Sequence, residues 1–122
     1  MTKNDFYENW MKSFCIGISE STLRRFVKTK GNFIWHIFSW ELIPANRYLS
    51  GKKAEKAFNE VSKRGAWYID WFTDDHAHQI IPELKDAESL SQFVEVYVVG
   101  KDFQWTYIKT HEDGFGPYFM KR

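Results

Sequence analysis

An α+β fold is the class this sequence predicts: a mostly antiparallel sheet of about four to five strands with helices packed on one face. Three observations predict it. Apolar residues recur at helical spacing near the start of the chain and again between residues 50 and 65. β-branched and aromatic runs fill the second half and alternate at a period of two. Two such runs flank Gly100-Lys101-Asp102, which reads as a hairpin connection. Helices first and strands later argue against alternating parallel units.

The elements follow in order. Tyr7, Trp10, Met11 and Phe14 make one helical stripe, with Thr2 or Asn4 as the cap. Gly17 and Ser19-Glu20-Ser21 break it, and Leu23, Phe26 and Val27 mark a shorter second helix stopping near Gly31. Residues 32–42 carry apolar side chains on both parities, which predicts a central strand covered on both sides, or by helices on one side and a partner on the other, and ended by Pro44. Ser50 is the expected cap of a helix whose stripe is Ala54, Ala57, Phe58 and Val61, with Gly65 as its stop. Ala66 to Phe72 reads as a strand and Asp74 to Leu84 as a loop. Asp86 caps a short helix running through Gln92. The hairpin spans residues 93–110, and Pro117 to Lys121 returns along the sheet as a last short strand. Without repeats or a linker-like tract, residues 1–122 read as a single domain.

Composition narrows the function. With 17 basic and 16 acidic residues the net charge is +1, which argues against a nucleic-acid partner. The nearest basic clusters, Arg24, Arg25, Lys28 and Lys30, and Lys52, Lys53 and Lys56, read as solvated helix faces. Cys15 is the one cysteine, so an internal disulfide or multi-thiol zinc site is excluded. The N-terminal residues are polar and no apolar run approaches a membrane span, so the expectation is a cytoplasmic chain without a membrane partner. Aromatic residues make up 19% of the chain. That excess serves a small core or a recognition surface, and the core reading is favoured.

Candidate chemistry is sparse. Asp74, Asp75, His76 and His78 lie within five residues, and His-x-His directs both imidazoles to one side only in extended backbone. With His111 or Glu112 they make the one candidate set for a divalent metal; no other cofactor is expected. No metalloprotease or deaminase spacing accompanies it, so a solvated polar loop is the favoured alternative. Thr110-His111-Glu112-Asp113 ends a strand in which Phe103, Trp105 and Tyr107 face one way. A histidine beside a carboxylate can act as general base, but no nucleophile motif accompanies it and a structural strand end is favoured. His36 and Asp70 interrupt apolar runs, and a buried pair between them would be the strongest functional pointer.

Two blocks carry a family resemblance: residues 32–44 followed by 48–58, and residues 95–119. They resemble the family filed as domain of unknown function 4275, small proteins of low-GC Gram-positive bacteria. The resemblance spans about Phe33 to Phe119 and singles out His36, Trp40, Trp105, Thr110, His111, Glu112, Pro117 and Tyr118 as signature positions. It implies no catalytic role. The leading expectation is therefore a protein-interaction module, of the immunity or antitoxin kind, with an exposed subset of Trp40, Trp67, Trp71 and Tyr118 at the contact. The alternative is a metal-dependent or His–carboxylate hydrolase. Base stacking on Trp105 or Tyr107 of single-stranded nucleic acid ranks last, given the charge balance.

Overall fold

The first helix, α1 (Lys3–Phe14), begins where Thr2 accepts a hydrogen bond from the Asp5 N–H. In the computed structural model, which describes residues 1–28 and 33–122, α1 buries Phe6, Trp10, Met11 and Phe14. Ser19 caps α2 (Glu20–Phe26) by accepting from the Thr22 N–H. The Gly31 stop and Lys30 of the first basic cluster lie outside the described residues. Cys15 sits at the end of α1, and burial pushes its thiol up to about 12.

The central strand expected at residues 32–42 does not form over residues 33–42, and Asn32 lies outside the described residues. The segment folds into turns around a single helical turn, α3 (His36–Ser39), with Ile34, Trp35, Ile37, Phe38 and Ile43 each at most 2% exposed. A short run that is apolar on both parities fits a helix buried on several sides as well as a two-faced strand. Periodicity alone cannot separate the two.

Among the described residues the sheet is antiparallel throughout and has six strands, two of them only two residues long. They are β1 (Leu49–Ser50), β2 (Trp67–Asp70), β3 (His78–Gln79), β4 (Val96–Val99), β5 (Trp105–Lys109) and β6 (Tyr118–Lys121). Their spatial order is β1-β6-β5-β4-β2-β3, so the shortest strands stand at the edges. Short edges offer little unpaired backbone to another chain. Ser50 belongs to β1 and caps nothing. α4 (Lys52–Glu60) starts at Gly51, whose φ is 63°, and it ends before Gly65. Gly65 instead turns the chain into β2. The loop expected at Asp74 to Leu84 contains β3, and the turn at Glu88–Gln92 is 3-10 helical, its Ser89 N–H held by Asp86. The hairpin connection is longer than expected, so β5 starts at Trp105 and Phe103 leaves its row.

Helices cover both faces of the sheet rather than one. α1, α2 and α3 pack with Ile69, Tyr97, Val99, Ile108, Tyr118 and Met120. α4 packs with Val96, Val98, Trp105, Tyr107 and Phe119 on the opposite side. The all-apolar β4, buried at every position, is the sequence feature that a two-sided cover requires. No helix among the described residues is long and apolar enough to cross a membrane.

Candidate functional site

Glu95, one residue before β4, is the buried charge around which one end of the molecule is organised. Its position follows from register: it shares a face with Tyr97 and Val99, directed towards α3. The residue is 0% exposed and its carboxylate receives four donors. Oε1 accepts from Trp35 Nε1 at 3.0 Å, from the His111 backbone N–H at 3.1 Å, and faces His111 Nδ1 at 2.7 Å. Oε2 accepts from the Tyr97 hydroxyl at 2.8 Å. Burial, followed by the Glu95 charge, raises the Tyr97 pKa well above its usual value, so that hydroxyl stays a donor. A buried carboxylate is tolerable only when so fully bonded.

His111 thus has one nitrogen fixed by Glu95, and its other nitrogen, Nε2, lies 3.5 Å from Glu112. Its ring is surrounded by Phe33 at 4.7 Å, Phe72 at 5.5 Å and Trp35 at 6.0 Å between centroids. Thr110 holds the following turn, its hydroxyl donating to the carbonyls of Glu112 and Phe115. Gly114 and Gly116 have φ of 87° and 81°, values a side chain would resist, and the cis Gly116–Pro117 bond leads into β6.

His36 lies beside this centre on α3. Its Nδ1 is 2.8 Å from the Ser39 hydroxyl, and its ring stacks on Trp40 at 4.1 Å and 7°. Trp35 also meets it, tilted, at 4.1 Å between centroids. Burial lowers the His36 pKa; Glu112 and Glu95 oppose that shift and His111 adds to it. The unfolded chain therefore binds the His36 proton more readily than the folded one. Its contribution is complete above about 6.5 and is lost as pH falls below that value through the folded pKa. We expect the stability of the wild type to fall more steeply from pH 7 to 5 than that of His36→Gln. Urea midpoints across that range check it, and parallel curves would refute it.

The rings form one connected set. From Trp40 through His36 and Trp35 it reaches Phe115, and from His111 through Phe33 it reaches Phe72. Its outer members are exposed: Trp40 by 42%, Phe72 by 52% and Phe115 by 44%. Phe26, exposed by 38%, meets Trp40 edge-on. The inner members are held by the buried carboxylate.

The structure brings His36, Trp40, Thr110, His111 and Glu112 to this end of the molecule. Pro117 and Tyr118 follow the same turn, and Tyr118 is buried against Phe38 and Trp35. Trp105 is elsewhere, at the far end of β5 against Phe58 and Phe119. His36 and Asp70 do not pair: His36 bonds Ser39, while the Asp70 N–H donates to Asp74. His76 bonds Asp75 and His78 faces Asp74 at 3.3 Å, so these two are not in the contact set of His111. Among the described residues there is no group of three or more His, Cys, Asp or Glu side chains placed to hold a metal. Of the four aromatic residues expected at a contact, Trp40 is exposed, Trp67 and Trp71 are half-buried and Tyr118 is buried.

Sequence reasoning passed over Glu95 and Phe115. Glu95 interrupts the apolar run Phe93 to Val99 as Asp70 interrupts its own, and that interruption was the available signal. Nothing local distinguishes which of the two carboxylates is sealed in.

The model of one protein family, described as Domain of unknown function (DUF4275), matches residues 3–119. The chain belongs to that family. The match runs from the start of α1 to Phe119 within β6, so the Glu95 centre and all of the sheet but the last two residues of β6 fall within the DUF4275 unit. No curated protein and no solved structure matches the chain.

Proposed function

We propose that this chain is a protein-interaction module whose contact surface is the aromatic set around Trp40, Phe72 and Phe115. The observation that carries the reading is the exposure of these three rings at the edge of one connected network. Contiguous exposed apolar surface is uncommon on an isolated domain, and Trp is enriched among the residues that dominate binding energy. Glu95 serves that surface indirectly. By fixing Trp35 and His111 it holds the neighbouring rings in place before a partner arrives, which lowers the ordering cost of binding.

The expected result is that cross-linking capture from the native host retains a defined protein with the wild type. Trp40→Ala with Phe72→Ala should weaken that retention at least tenfold, since hot-spot truncations cost roughly 2 kcal/mol or more each. An exposed-residue control, Ile81→Ala, should leave it unchanged. Identical capture profiles for wild type and the double variant would refute the reading.

The alternative, a His–carboxylate hydrolase, is supported by the orientation of His111 by Glu95, the arrangement that positions a general base. Against it, both ring nitrogens face carboxylates, and among the described residues neither is bonded to a hydroxyl or thiol.

A further inference from the structure

At the opposite end of β5 from His111, a cavity of about 680 Å³ lies between the loop after α4, the β4–β5 connection and the end of β6. It is lined by Arg64, Lys101, Lys121 and Arg122, together with Gln104 and Trp105. No aspartate or glutamate is among its described lining residues, and none of these four cations takes part in an ion pair among the described residues. In a chain whose net charge is only +1, four cations drawn from three separate segments make a locally uncompensated field.

A second observation is independent of charge. Trp105 is 6% exposed, yet its indole N–H has no hydrogen-bond partner among the described residues. That nitrogen is not sealed away from solvent either, since among the described residues no buried side-chain nitrogen or oxygen lacks a partner. The donor of a nearly buried cavity residue is therefore reachable from solvent and takes no partner from the described protein groups. Gly100 admits it there: a Cβ at residue 100 would lie 2.2 Å from Trp105 Nε1.

We infer that this cavity binds a small, multiply charged phosphate-type anion, held by the guanidinium and ammonium groups and by the Trp105 N–H. Arginine and lysine together recognise phosphate oxygens through charge-assisted hydrogen bonds. The small exposed fraction of Trp105 gives little ring face for stacking, which favours a compact anion over a stacked base. The inference is independent of the aromatic surface and stands whether or not a protein binds there.

The test is isothermal titration of the intact chain with inorganic pyrophosphate at physiological salt. Saturable one-to-one binding is expected. Arg64→Ala and Lys101→Ala should each weaken it roughly tenfold, the value of a lost charged hydrogen bond. Trp105→Phe, which keeps the packing and removes the donor, should weaken it measurably with the circular dichroism unchanged. Lys53→Ala on α4, outside the cavity, should leave it intact. Absence of saturation would overturn the assignment, as would equal weakening by Lys53→Ala. A single-stranded oligonucleotide held more tightly than pyrophosphate would also overturn it, in favour of a surface that tracks a nucleic-acid backbone.

Discussion

Replacing Glu95 by Ala is expected to destabilise the fold by about 3–5 kcal/mol, the scale seen when one partner of a buried, bonded charge is removed. The change deprives Trp35 Nε1, the Tyr97 hydroxyl, the His111 backbone N–H and His111 Nδ1 of their shared acceptor. Each orphaned donor costs roughly 1–3 kcal/mol in a dry site, and partial collapse or water entry keeps the total below their sum. Glu95→Gln retains the shape and one acceptor oxygen, so a smaller loss of about 1–2 kcal/mol is expected. Urea unfolding followed by circular dichroism measures both. A Glu95→Ala loss below about 1 kcal/mol would mean that the centre is wetter and looser than its geometry implies. The two variants also separate stability from recognition. Where Glu95→Gln remains folded but its rings lose their fixed arrangement, partner retention should fall while the unfolding transition stays cooperative.

Trp10→Ala should cost a similar amount, about 3–5 kcal/mol, for a different reason. The Trp10 ring is fully buried between Phe14 and Phe38, and truncation leaves a cavity beneath the sheet. Its indole N–H donates to the Thr106 hydroxyl at 2.9 Å, and that hydroxyl in turn donates to the Val98 carbonyl. Trp10→Phe removes the hydrogen bond and fills most of the space, so about 1–2 kcal/mol is expected. Equal losses for Ala and Phe would show that the bond to Thr106, and not the packed volume, anchors α1 to the sheet.

Much of this architecture was legible locally. Trp10, Met11 and Phe14 of the expected stripe, the Thr2 cap and the hairpin strands all depend on neighbours a few residues apart, whereas Phe6, not the half-buried Tyr7, completes the buried stripe and the Ser19 cap reads in the sequence only as a helix break. Periodicity reports such arrangements faithfully because the side-chain direction of a helix or strand is set by the local backbone. The same logic failed at residues 32–42. There, apolar side chains on both parities were compatible with a strand or a buried turn of helix, and packing between α1 and the sheet selected the turn. It failed also for the cover of the sheet, since the side on which α4 lands depends on the path of the whole chain.

The candidate site was only half visible. His36, Trp40, Thr110, His111 and Glu112 were noticed as residues, but not their relation to one another. What joins them is Glu95, which is 60 residues from Trp35 and 16 from His111 along the chain. By itself the sequence determined the α+β class, the family blocks, the Thr2 cap and the hairpin, because those follow from local sterics and spacing. Only the tertiary structure decided which carboxylate is buried, which aromatic rings reach solvent, and which lysines and arginines gather around one cavity. Burial and convergence are properties of segments brought together across the chain, and local patterning carries no record of which segments meet.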